Sequence, residues 1–210
     1  MCNTTDKMRP DAGRRLRIYH WWPVLLGPAT MIGVYLAKGF NLEGFYAKRL
    51  HETFAVIILP LAIISYGAGA AYGRRPFHLI LTVLTIALFC REWHFAGTGI
   101  GIYISLVGIG VWTYLWREKI KPALQYRSFR IWLISTCATY LLSVLISRRL
   151  FKHLFLPMEG KLHVPLEEVT ETAAHLMMLV TSLIAWSILR ADRSERFHSV
   201  PAVSTPSEPH

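Results

Sequence analysis

Acids and cysteines are scarce in this chain. Of its 210 residues only 13 are Asp or Glu, against 23 Lys or Arg. Charged residues make up 17% of the sequence, where a soluble domain carries about 25%. The three cysteines, Cys2, Cys90 and Cys137, have neither the number nor the spacing of a disulfide framework or a thiolate metal site. Cys90 and Cys137 fall inside apolar runs, where a thiol behaves as a small hydrophobe. The glycine-rich stretch Thr98-Gly99-Ile100-Gly101 has no Lys and no preceding strand, so it is not a phosphate loop. A Gly-x-Ser-x-Gly elbow, a His-Glu-x-x-His zinc helix and a dinucleotide fingerprint are all missing. No internal repeat or inverted symmetry is visible, which argues against a transporter built from repeats.

Apolar length dominates what is present, since 53% of the residues are hydrophobic. They gather in six runs, at about 21–37, 51–72, 76–94, 99–116, 130–147 and 170–189. A helix needs about 20 apolar residues to cross a hydrocarbon layer roughly 30 Å thick. The expected fold class is therefore all-α, a polytopic transmembrane bundle of six helices. Residues 1–20 read as a cytoplasmic basic segment before an uncleaved first helix, 21–190 as the membrane domain, and 191–210 as a disordered cytoplasmic tail rich in Ser, Pro and charge. Pro60 sits inside the second run, where a kink is expected. Gly69-xxx-Gly73 and Gly97-xxx-Gly101 have the spacing that lets two helices approach closely.

The net charge of +10 does not point to nucleic acid, because Lys and Arg sit in short segments beside the apolar runs. With the N-terminus inside, fifteen basic residues fall on the inner side and eight on the outer side. The excess favours both termini in the cytoplasm. Trp21, Trp22, Trp93, Trp112, Trp116 and Trp186 fall near run ends, where amphipathic rings anchor at the interface. The basic segments also suit anionic lipid headgroups.

Against this background a few polar residues stand out. Glu52 opens the second helix, Glu92 and His94 close the third, and Glu168, Glu171 and His175 lie in the first turns of the sixth. All fall at the expected outer end. Glu168, Glu171 and His175 stand at i, i+3 and i+7 and share a helix face, as do Glu167, Glu171 and His175. Ionisable groups inside a membrane are costly and are functional candidates by default. This mixture of oxygen and nitrogen donors suits a divalent Zn, Fe or Mn ion, and facing carboxylates equally suit a shared proton. Each residue also has a plainer reading. Glu52, Glu167, Glu168 and Glu171 suit the positive end of a helix dipole, Glu92 suits a pair with Arg91, and His175 suits a hydrogen bond to a Ser, Thr or carbonyl. A haem held between His51 and His94 is disfavoured, because both lie at helix ends.

Two stretches carry a resemblance. Arg91-Glu92-Trp93-His94-Phe95 ends one helix, and Leu166-Glu167-Glu168-Val169-Thr170-Glu171 opens the last. Together they resemble an uncharacterised group of small bacterial multi-pass proteins, in which Arg-Glu-x-Asp-Phe-His follows a hydrophobic helix and Glu-Glu-x-x-Glu begins the final one. The resemblance covers Arg91, Glu92, Glu168 and Glu171. His94 stands where the group has Asp, and no His follows Phe95. The resemblance implies an inner-membrane bundle and no particular activity.

The functional expectation is a carboxylate and histidine site near the outer leaflet, formed by Glu92, Glu168, Glu171 and His175 with His94 and Glu52 beside them. It would hold a divalent metal and act on a lipid or small apolar substrate by metal-assisted hydrolysis or oxidation. The alternatives are a small transporter or proton-linked sensor, and a non-catalytic accessory or assembly subunit bound to a membrane-protein partner.

Overall fold

The computed structural model of the chain describes residues 18–73, 76–93, 98–150 and 159–198. Within these residues all regular structure is helical. A 3-10 segment, Ile18–Leu25, leads into α1 (Leu26–Gly39), and a second, Glu43–Tyr46, precedes α2 (Lys48–Gly73). Then follow α3 (Pro76–Glu92), α4 (Thr98–Leu115), the short α5 (Arg117–Leu124), α6 (Arg127–Ser147) and α7 (Glu159–His198). The segments Glu43–Gly73, Arg127–Ser147 and Leu162–Ala191 are each long and apolar enough to cross a membrane, and Gly101–Leu115 is a shorter apolar helix.

Where six spans were expected, the described residues hold three helices of sufficient apolar length, and the first run is divided between the 3-10 segment and the 14-residue α1. Two further boundaries also differ from those expected. Helix α7 begins well before residue 170 and runs on through residues 191–198, into the expected disordered tail. Its 40 residues extend for about 60 Å, twice the thickness of a hydrocarbon layer. Hydropathy marks only the stretch that suits lipid, and the helix continues on either side of it. The other difference is α5, an extra helix inside the basic stretch after the fourth run. It buries Ile120 and exposes Arg117, Glu118, Lys119 and Lys121.

The polarity of the molecule is inverted relative to a water-soluble domain. Ile57, Leu61, Ile64, Ile104, Val107, Leu141, Leu176 and Leu183 are exposed, while Thr85, Ser135, Thr136, Thr139, Thr170 and Thr181 are buried. An exposed apolar surface of this kind is suited to lipid. The buried hydroxyls explain how α6 and α7 approach closely. Thr136, Thr139 and Thr181 each donate to the carbonyl one turn back, on Trp132, Ser135 and Met177, at 2.7–2.9 Å. Satisfied in this way, they pack as small side chains. Thr136 and Thr181 then meet across α6 and α7 at 3.2 Å, and Thr139 reaches the Met177 sulfur at 3.4 Å.

Helix α7 is the axis of the bundle and packs on α6, α2 and α1. At one end Leu162, Leu166 and Val169 of α7 enclose Val34 of α1 and Ile146 of α6. Further along, Met178 and Ala185 join Leu59, Ala62 and Tyr66 of α2, Phe77, Ile80, Leu81 and Leu88 of α3, and Phe129 of α6. Helix α2 runs unbroken through Pro60. The expected glycine contacts are half fulfilled. A Cβ on Gly69 would stand 2.5 Å from Cδ2 of His78, and one on Gly73 would stand 2.5 Å from Cδ1 of Leu189. These glycines let α3 and α7 lie directly against α2. Gly101 faces open space, and its expected partner Gly97 lies outside the described residues.

Because a side chain on Gly69 would run into the buried His78 ring, Gly69→Val is expected to lower stability by about 1–3 kcal/mol. Gly101→Ala is expected to leave it unchanged. Thermal unfolding of the detergent-solubilised protein compares the two, and equal midpoints would refute the close packing at Gly69.

Candidate metal centre

Three helix segments converge at the end of the bundle where α3 finishes and where α2 and the apolar part of α7 begin. Arg91 and Glu92 occupy the last turn of α3. Glu171 and His175 lie one turn apart on α7, so both point to the same side. Glu92, Glu171 and His175 each offer a ligand atom within 4.8 Å of the others. Glu171 is 7% exposed and His175 only 1%.

A buried carboxylate needs a counter-charge. For Glu171 it is Arg91, whose Nη1 stands 2.7 Å from Oε1. The approach is an ion pair without an aligned hydrogen bond, since Oε1 accepts none. Removing Arg91 would leave the Glu171 charge buried alone, which typically costs about 3–5 kcal/mol.

His175 is the member of the group left without a hydrogen-bond partner among the described residues. Neither Nδ1 nor Nε2 makes a hydrogen bond among the described residues. The expected plain reading, a buried histidine tied to a Ser, Thr or carbonyl, is therefore not what is found. The ring of Tyr140, from α6, lies edge-on to it with centroids 5.6 Å apart, and the Tyr140 hydroxyl is buried without a hydrogen bond as well. A buried polar group left unpaired costs about 1–3 kcal/mol. Two such groups beside two carboxylates are polar capacity that the fold itself leaves unused.

The donor set fits a metal ion. Imidazole and carboxylate ligands bind Zn at about 2.0–2.2 Å, which places tetrahedral donors roughly 3.4 Å apart. Side-chain closure of roughly an ångström would bring the three ligand atoms to that spacing. Arg91 would remain beside them, balancing charge and holding Glu171 in orientation.

The other expected site residues are placed differently. Lys48, at the start of α2, lies 3.5 Å from Glu52 and 3.6 Å from Glu168, and so draws both acids into a separate ion-pair network at the rim. Glu52 and Glu168 therefore do not join the Glu92, Glu171 and His175 group, although Glu168 shares its helix face with two of them. His94 lies outside the described residues. His51 has a structural role. Its Nε2 donates to the Phe45 carbonyl at 2.9 Å and its Nδ1 meets the Thr172 hydroxyl at 3.0 Å, tying α2 to α7 next to Glu171. With both ring nitrogens engaged, it is not poised to ligate a haem. Tyr140 was not anticipated. A single tyrosine in an apolar run carries no signal of its own, because tyrosine is common in membrane helices.

This division of labour sets a test. His51→Phe strands the Phe45 carbonyl and the Thr172 hydroxyl and is expected to cost about 1–3 kcal/mol in thermal unfolding. Glu52→Gln alters only an exposed ion pair and is expected to change stability by less than about 0.5 kcal/mol. The reverse order would mean that Glu52 and not His51 secures this end of α2. A scan against protein-family models, and searches of curated proteins and of solved structures, return no match to the chain.

Proposed function

We propose that the chain is a multi-pass protein of a bacterial inner membrane that holds a divalent metal ion between Glu92, Glu171 and His175. Six helices, α1, α2, α3, α4, α6 and α7, would cross the bilayer, with α5 lying along the inner interface. The inner-side excess of Lys and Arg sets both termini in the cytoplasm. That orientation puts the metal near the outer leaflet, within reach of a lipid or another small apolar substrate. Bound there, the ion would act as a Lewis acid and activate water or polarise a substrate oxygen. The protein would supply the ligands, the counter-charge of Arg91 and a water-poor setting in which each electrostatic contact is strengthened. The likeness of the Arg91-Glu92 and Glu167-Glu168-x-x-Glu171 stretches to the uncharacterised group of small multi-pass proteins is consistent with the multi-pass reading and implies no particular activity.

One observation carries the reading. His175 is almost fully buried, neither of its nitrogens has a hydrogen-bond partner among the described residues, and two carboxylates offer ligand atoms within 4.8 Å of it. A purely structural histidine at that depth would be expected to have recruited a hydroxyl or a carbonyl, as His51 does.

A second reading has its own support. Arg91 already neutralises Glu171, so the cluster can exist without an ion, and two neighbouring carboxylates can share a proton. In that case the protein is a proton-linked transporter or sensor.

Metal content separates the two. Protein purified in mild detergent without chelator is expected to carry close to one transition-metal ion per chain by elemental analysis. Glu171→Ala and His175→Ala should each reduce that to background, while Glu52→Gln and Glu168→Gln should retain it. A metal-free wild type that also fails to take up Zn, Mn or Fe would remove the metal reading and leave the proton-sharing one.

A further inference from the structure

Two tyrosines pack against α7 from different helices, and their hydroxyls are treated differently. Tyr66, on α2, is fully buried and donates to the Met178 carbonyl at 3.3 Å, with the Met178 sulfur 3.7 Å away. Tyr140, on α6, buries its hydroxyl with no hydrogen bond among the described residues. Buried tyrosine hydroxyls ordinarily find a partner. The position of Tyr140 follows from the antiparallel register of α6 and α7. Thr136 meets Thr181, Thr139 meets Met177, and the next step along α6 sets Tyr140 against His175. Its ring thus packs on the histidine whose ligand atom lies within 4.8 Å of Glu92 and Glu171.

We propose that Tyr140 is the fourth protein donor of the centre, completing a set of two carboxylates, one imidazole and one phenol oxygen for a six-coordinate iron or manganese ion. The inference rests on the metal reading of Glu92, Glu171 and His175 and narrows it. Four protein donors would close a tetrahedral zinc site and leave no position for chemistry. A six-coordinate ion of the kind that favours oxygen and nitrogen donors keeps two positions for water or substrate. Charge gives independent support. A divalent ion with two carboxylates and Arg91 leaves one positive charge in a water-poor site, and a phenolate donor cancels it. The phenolic proton is released as the ion binds, as happens with any protic ligand.

Ferric iron is the probe, because its bond to a phenolate absorbs visible light. Chelator-treated wild-type protein in detergent is titrated with ferric iron, with absorption and bound iron followed together. Wild type is expected to bind one iron and develop a visible charge-transfer band. Tyr140→Phe keeps the ring that packs on His175, and it is expected to lose the band and bind iron about 10- to 100-fold more weakly. Tyr66→Phe, which alters the tyrosine already bonded to Met178, is expected to keep both band and affinity. His175→Ala should lose the iron itself. If wild type and Tyr140→Phe bind iron equally and both lack the band, Tyr140 is not a ligand while the three-residue centre still stands. If wild type binds no iron, manganese or zinc, the underlying centre fails together with this inference.

Discussion

A half-buried guanidinium and a buried carboxylate 2.7 Å apart hold the end of α3 against the side of α7. The Glu171 charge could not occupy that place alone, because an isolated ion in a low-dielectric interior costs several kcal/mol. The Arg91–Glu171 pair therefore does more than join two helices. It brings Glu92, the neighbour of Arg91, into the space beside Glu171, and it keeps Glu171 turned toward the side on which His175 stands. The cluster within 4.8 Å is a geometric consequence of that pairing. His51 reinforces it from α2 by gripping Thr172, the residue next to Glu171.

The bundle around this contact is organised for lipid outside and small polar contacts inside. Hydroxyls on α6 and α7 satisfy themselves on their own helices and leave flat faces that pack closely, and Gly69 and Gly73 do the same for α2. A bundle held in this way tolerates few unpaired polar groups, because lipid offers them no partner. His175 and Tyr140 stand out for that reason. Among the described residues their hydrogen-bonding capacity is unspent, whereas the buried Ser and Thr residues mostly spend theirs locally.

Much of this was legible in the residues. Apolar runs marked where helices lie, because hydrophobic length is a direct signature of a membrane-suited segment. The spacing of Glu171 and His175 placed them on one face, and the position of Glu92 at a helix end placed it at the same depth. Other parts were hidden. Helical periodicity also placed Glu168 with the cluster, but a partner from another helix decides where a flexible carboxylate turns, and Lys48 captures it together with Glu52. The extensions of α7 and the short α5 escaped because hydropathy reports affinity for lipid and not helix formation. Tyr140 was invisible for a different reason. Its relation to His175 exists only once α6 and α7 are in register.

The coupling between Arg91 and Glu171 is the most direct measure of whether this convergence exists. A double-mutant cycle with Arg91→Met and Glu171→Gln, read by unfolding in detergent, isolates the interaction between them. Each single change should destabilise the protein, and the double change should cost less than the two singles together by about 0.5–3 kcal/mol. Strictly additive losses would mean that the two side chains do not meet, and the centre assembled around them would have no basis.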